Sequence, residues 1–180
     1  MCQLEFENLI AIKKASHEDI RILSKKLSFL LEDKNSQVYK DNVAKFEIPE
    51  DYAKKAFAEE TLSKAFATGK ATFYLALKDN EIIGFAQTIA QDTSTAELDR
   101  IIIFPQHAGK GIGTLLLHEV LADQKQKGVK KIIANAGKEE NHARRFYEKN
   151  GFKQIKEATI ETPWGKKLSL VTYQLCLSPR

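Results

Sequence analysis

Residues 100–117 read RIIIFPQHAGKGIGTLLL: an apolar run, a proline, three glycines at alternate positions, then a second apolar run. The first run predicts a strand over residues 97–104. Pro105 ends it, because proline has a fixed φ and no N–H for a ladder. The second run predicts a helix over residues 114–127, with Leu115, Leu116, Val120 and Leu121 on its apolar side and Gly128 as its stop. Between them, Gly109, Gly111 and Gly113 let the backbone turn tightly and approach a ligand closely. The first helical turn carries free N–H groups and a partial positive charge. Strand, glycines and helix start together make an anion site suited to a pyrophosphate, with Lys110 at its rim. It is not a P-loop, since Lys110 is followed by Gly111 rather than Ser or Thr. Nor is it a dinucleotide fingerprint, since the third glycine of that pattern would fall on Thr114. The plain alternative is a joint between strand and helix, which would not need three glycines.

Upstream, the pattern predicts a strand over residues 9–15. Ser16 follows as N-cap with Asp19 three residues later, and Ile20, Leu23, Leu27, Leu30 and Leu31 mark an amphipathic helix. Residues 32–42 read as polar and irregular. Pro49 marks a boundary, residues 51–67 read as one or two helices, and Gly69 closes them. Two strands at 71–77 and 82–90, joined by Lys78, Asp79, Asn80 and Glu81, predict an antiparallel hairpin. Downstream, a strand at 130–135, a short helix at 141–150 and strands at 152–160 and 168–177 complete the chain. The last two flank a turn at Pro163, Trp164 and Gly165. This order predicts one mixed α/β domain around a single sheet.

Composition narrows the class. A chain of 180 residues with 43% hydrophobic residues fits one globular domain with a sizeable core. The net charge of +4 suits an anionic ligand. Lys and Arg are interleaved with acids along the chain, so no nucleic-acid patch is expected. Cys2 and Cys176 form no CxxC pair and His17, His107, His118 and His142 have no ligand spacing, so no metal is assigned. Cys176 reads as a small core residue in an apolar run. A reducing cytoplasm is the expected compartment. Glu5 and Glu7 and the lack of a ~20-residue apolar stretch predict neither a secretion signal nor a membrane span.

A second motif, NHARRFYEKNGF, occupies residues 141–152. The glycine loop and this motif, in this order and at this spacing, resemble the GNAT family of N-acetyltransferases. The resemblance covers residues 72–177 well and the N-terminal part loosely. It implies a mixed, mostly antiparallel central sheet flanked by helices, in a single domain over residues 1–180. Residues 1–70 would serve the acceptor and residues 71–177 would bind acetyl-CoA. It further implies that Ala108, Gly109, Lys110, Gly111, Ile112, Gly113 and Thr114 hold the pyrophosphate of coenzyme A through backbone amides. Ala108 departs from the Arg or Gln of the family's pattern. The resemblance places the pantetheine arm along the backbone of Ile101, Ile102 and Ile103, whose side chains read as plain core. An N–H of that strand would polarise the thioester carbonyl. Asn141 would bond the pantetheine arm or serve as helix N-cap, and Lys149 would lie near the phosphates or in solvent.

Acetyl transfer to an amine needs a neutral nucleophile, a polarised carbonyl and a protonated leaving thiolate. Tyr147 is the candidate acid: a phenol titrates at about 10, close to an alkyl thiol, and the resemblance sets it beside the coenzyme sulfur. The plain reading of Tyr147 is a half-buried aromatic. Glu97 is the candidate base, directly or through a water, against the plain reading of a strand-end acid. Asp99, of the same side-chain parity, is the fallback. Trp164 and Tyr173 read equally as acceptor-pocket border, core or dimer contact. The acceptor is a primary amine, with a polyamine, an amino acid, an antibiotic and a protein N-terminus or lysine all open. YAKKAF at residues 52–57, with Glu60 and Leu62, resembles the polyamine-acetylating branch, and Glu32, Asp33, Glu59 and Glu60 could line such a site. The competing class is an acyl-CoA-binding sensor without turnover, suggested by Ala108. A small-molecule amine is the expected partner, with no nucleic acid and no membrane, and a homodimer stays open.

Overall fold

The computed structural model describes residues 9–177. The expectations for Cys2, Glu5 and Glu7 lie outside these residues. Strands β1 (Ala11–Lys14), β2 (Ala71–Lys78), β3 (Glu81–Ala90), β4 (Thr95–Ile103), β5 (Lys131–Gly137), β6 (Lys153–Glu161) and β7 (Lys167–Cys176) form one sheet. Its seven strands run in the order β1-β2-β3-β4-β5-β7-β6. Every pairing is antiparallel except β4 with β5. The mixed, mostly antiparallel α/β architecture expected from the sequence is therefore the one observed. The β2–β3 turn is of the hairpin type, with Asp79 and Asn80 at φ of 51° and 63°.

Helices α1 (His17–Glu32), α2 (Gln37–Asn42), α3 (Glu50–Phe57) and α4 (Glu59–Ala67) precede β2 in the chain. Helices α5 (Ile112–Gln126) and α6 (Asn141–Lys149) follow β4 and β5. Alternation along β2 separates two cores. Phe73 and Leu75 meet Ile20, Leu23, Leu27 and Leu62 of the first helices, while Tyr74 meets Leu116, Leu117 and Val120 of α5. The sheet is thus the middle layer of three. Each fully buried Ile or Leu of α1 contributes roughly 2 kcal/mol from water exclusion. The predicted capping box at α1 is formed: Asp19 N–H donates to Ser16 Oγ at 3.3 Å and Ser16 N–H to Asp19 Oδ2 at 2.7 Å.

Four local expectations are corrected. Residues 32–42 are not irregular throughout: Ser36 caps α2, its Oγ accepting from Tyr39 N–H at 3.0 Å, and Val38 is buried against the α1 core. Helix α5 begins at Ile112, two residues before the predicted start, so Gly113 and Thr114 belong to its first turn. On α5, Leu115 is 48% exposed, while Leu117 is buried. Cys176 is exposed at the end of β7 rather than in the core.

One polar cluster crosses the α5 face. Tyr74 donates its hydroxyl hydrogen to Asp123 Oδ2 at 2.6 Å, and Lys14 and Lys127 reach the same carboxylate at 2.8 and 2.7 Å. Gln124 Nε2 donates to the Tyr74 hydroxyl at 2.9 Å and to Thr88 at 3.1 Å. The cluster explains why Asp123 and Gln124 are buried in a helix whose other inward residues are apolar. No helix among the described residues is long and apolar enough to cross a membrane.

Candidate active site

The site is built by a defect in the sheet. β4 pairs with β5 only from Thr95 to Leu98, opposite Lys131 to Ala134. Beyond Leu98 the two strands separate. The edge of β4 from Asp99 to Ile103 then has β3 on one side and, among the described residues, no strand on the other. Its outward backbone groups need partners from elsewhere.

A bulge sits at the point of separation. Thr88 faces Leu98 and Gln87 faces Arg100, so Asp99 is an extra residue with no partner across the ladder. The extra residue inverts the pleat. Ala96 and Leu98 point to the α5 core, yet so do Ile101 and Ile103. Ile102 points to the α1 core, and Arg100 lies over the Phe57 ring of α3 at 4.5 Å. The expectation that Asp99 simply shares the parity of Glu97 overlooked this bulge.

Two cavities open from the gap. The larger, about 760 Å3, runs along Ile101, Ile102 and Ile103 and past Ala108, Gly109, Gly111, Ile112, Gly113 and Thr114 to Arg145, Tyr147 and Lys149. Gly109 and Gly111 have φ of 73° and 78°, and a Cβ at either would meet nothing within 4 Å. The positive φ, not crowding, therefore selects glycine there. Gly113 is different: it packs 3.4 Å from Phe146 when given a Cβ. Gly111 is the N-cap of α5 and offers no side chain, so the first-turn amides have no capping partner from that residue. Lys110 and Asn141 do not line this cavity. Lys110 Nζ instead donates to the Gln106 carbonyl at 3.2 Å. Asn141 is the first residue of α6 rather than its N-cap, which is Glu140.

The smaller cavity, about 420 Å3, is walled by Phe46, Tyr52, Phe57 and Trp164, with Asp99, Arg100, Asn135 and Glu140 among its polar residues. Tyr147 lines both cavities. Its ring is held at 5.8, 5.4 and 5.7 Å from Phe146, Phe152 and Tyr173. Its hydroxyl has no hydrogen-bond partner among the described residues. Burial, then Glu140 and Asp99, push the phenol well above its ordinary value, so it stays protonated. Tyr173 supports this ring from the core, donating to Glu148 Oε1 at 2.8 Å and accepting from Arg144 Nε at 3.0 Å. It does not border the smaller cavity, whereas Trp164 does.

Glu97 stands one step outside the smaller cavity. Asn135 Nδ2 donates to its Oε1 at 3.1 Å and Gln91 Nε2 to its Oε2 at 2.8 Å. Burial and then the neighbouring Asp99 raise its pKa, against the bond from Asn135. Asn135, Arg100 and Glu140 escaped the sequence reading. Asn135 had a signal, as a lone amide in an apolar strand. Glu32, Asp33, Glu59 and Glu60 line neither cavity. Among the described residues, no group of three His, Cys, Asp or Glu could hold a metal.

A family model, the acetyltransferase (GNAT) family, matches residues 36–152. The chain belongs to the GNAT family. Among curated relatives, the [ribosomal protein bS18]-alanine N-acetyltransferase of Haemophilus influenzae is 41% identical over 87 residues, 46% of this chain and 57% of that protein. The spermidine N(1)-acetyltransferase of Thermoplasma acidophilum is 28% identical over 144 residues, 80% of this chain and 88% of that protein. The chain spans about half the length of the first curated relatives it matches. The PaiA N-acetyltransferase of Thermoplasma acidophilum, solved with coenzyme A, superposes with a TM-score of 0.65 at 23% identity. That match covers 91% of this chain and 98% of the other, and shows a shared GNAT fold.

Proposed function

We propose that the chain transfers acetyl from acetyl-CoA to a small primary amine by direct attack in a ternary complex. The observation that carries this reading is that Tyr147 stands where the two cavities meet. The larger cavity fits coenzyme A. An open strand edge suits the amides of a pantetheine arm, and a glycine loop at a helix start suits a pyrophosphate. Arg145 and Lys149 add positive charge. The absence of the family's Arg or Gln at Ala108 leaves this cradle to the backbone.

Acetyl-CoA would supply the acetyl group as a thioester. Glu97, through a water, takes one proton from the bound ammonium, and the free amine attacks the carbonyl carbon. A backbone N–H of β4 polarises the carbonyl. As the C–N bond forms and the C–S bond breaks, Tyr147 gives its phenolic proton to the departing thiolate. The nitrogen's second proton and the one Tyr147 regains are exchanged with water. Because its pKa is raised, Glu97 becomes charged only at higher pH than an ordinary carboxylate. The acid limb of kcat/KM is therefore expected to rise through a pKa above that range, and Glu97→Gln should remove it. A limb kept in Glu97→Gln and lost in Asp99→Asn would transfer the role to Asp99.

A polyamine acceptor is supported by the Thermoplasma relative alone. The functional test is thiol release from acetyl-CoA over a panel of primary amines, together with coenzyme A titration at low salt. Turnover with one class of amine is expected. No coenzyme A binding would sink the reading, and binding without turnover on any amine, peptide or protein would leave a sensor.

A further inference from the structure

We infer that the acceptor is a zwitterion, an α-amino acid with an apolar or aromatic side chain, whose carboxylate is held by Arg100 and whose ammonium is held by Asp99. This inference rests on the acetyltransferase reading and names its substrate class.

The bulge at Asp99 presents two adjacent side chains of opposite charge to one cavity. Arg100 Nε lies 3.3 Å from Asp99 Oδ2, and the two side chains are 26% and 30% exposed. An α-amino acid carries its own opposite charges on neighbouring atoms, so the pair is complementary to its head group. The guanidinium is under-used. Its Nη1 is buried with no hydrogen-bond partner among the described residues. Gln87 Oε1, opposite on β3, is also unpartnered, but one oxygen cannot serve a group with five N–H donors. Trp164 Nε1, on the cavity wall, is a second buried donor without an acceptor among the described residues. Donors of this kind are costly unless an acceptor arrives, and a carboxylate brings two oxygens.

The remaining charges argue the same way. Glu140 is engaged, accepting from Gly137 N–H at 2.7 Å and facing Lys45 at 3.7 Å. That leaves Asp99 as the available acid in this cavity, with a cation beside it. A polyamine would set a second ammonium against Arg100 with no carboxylate to match. Phe46, Tyr52 and Trp164 supply the apolar wall for the side chain, and Phe57 lies under the guanidinium.

The test compares acceptors of one shape: phenylalanine, phenylalaninamide and phenethylamine, with leucine, methionine, tryptophan and spermidine alongside. Thiol release gives kcat/KM for each. The single tryptophan, Trp164, reports acceptor binding by fluorescence in the presence of coenzyme A, without turnover. For the preferred amino acid, kcat/KM is expected to exceed that of its amide and decarboxylated forms by roughly 30- to 100-fold. Arg100→Met, which keeps a side chain over Phe57, should reduce that ratio to within a few-fold while coenzyme A still binds. Saturable change in Trp164 fluorescence with amino acids but not amines, without turnover, would support the inference and sink the acetyltransferase reading. Equal or better use of phenethylamine, phenylalaninamide or spermidine would overturn the inference and leave the enzyme. Neither turnover nor a fluorescence response with any amino acid overturns it as well.

Discussion

Tyr147→Phe is expected to lower kcat about 100-fold, at the low end of general acid catalysis, with coenzyme A affinity changed by no more than about twofold, since a lone hydroxyl contributes little to a ligand held by backbone amides. The ring is fixed by Phe146, Phe152 and Tyr173 and touches both cavities, so the substitution removes an oxygen without moving a wall. The loss falls on kcat because proton delivery matters in the transition state and not in the bound complex. The raised pKa also fixes the direction of any pH effect. The phenol stays protonated through the alkaline range, so Tyr147 imposes no alkaline limb of its own near pH 10. Steady-state thiol release and calorimetric titration with coenzyme A check both halves. A variant with kcat within threefold of the parent would mean that water protonates the thiolate.

The second large effect is on stability, far from the chemistry. Asp123→Ala is expected to cost about 3 kcal/mol, the scale for breaking a buried charged network by removing one partner. The carboxylate is 5% exposed and receives Lys14, Lys127 and the Tyr74 hydroxyl. Without it the two lysines turn to water, but Tyr74, fully buried, loses the charged acceptor of its hydroxyl hydrogen. For a chain of this size the melting temperature should fall by roughly 6–12 °C. Burial alone would raise the pKa of Asp123; bonds from Lys127, Lys14 and Tyr74 outweigh it and hold the group at about 2. The sign follows from a folded pKa below the unfolded value of about 3.9. The contribution is complete above that value and is lost as pH falls through about 2. Denaturant titrations between neutral pH and pH 2 should show this loss in the parent and not in Asp123→Asn. Neither cavity includes Asp123, so acetyl transfer at neutral pH should survive both substitutions. A melting temperature unchanged in Asp123→Ala would show that the cluster only solvates α5.

The strand, the glycine loop and α5 were legible because their signals are local. A proline, alternating glycines and an apolar period lie within 18 residues of sequence, and the loop's φ values follow from residue type. Tyr147 and Ile101, Ile102 and Ile103 were named through the resemblance that both motifs carry, and all four line the larger cavity. What was not legible depends on pairing. Asp99 is a bulge only because Thr88 and Gln87 face Leu98 and Arg100, and nothing in β4 itself announces an extra residue. Arg100 therefore read as the start of a motif, not as part of a pocket. The helix α2 hid behind a polar composition whose one apolar anchor, Val38, is spent on tertiary contact. The acids proposed for a polyamine site lie on solvent faces, as with Glu60, which bonds Lys64 at 2.7 Å.

The bulge also has a bearing on how such a site could change over generations. Side chains before it and after it are a half-period out of phase, so the strand reads one way to the sheet interior and the other way to the pocket. Substitutions at Arg100 can alter which molecule is accepted without disturbing the alternation that seats Leu98 in the core. Forcing Asp99 into the regular ladder, with the bulge lost and the residue kept, would instead swap inside and outside for every position from Arg100 to Ile103, turning a guanidinium into the apolar layer under α5. Replacement at this point of the chain can therefore vary the pocket while the core stays seated, and deletion of Asp99 would remove a carboxylate from the pocket but leave the alternation in place.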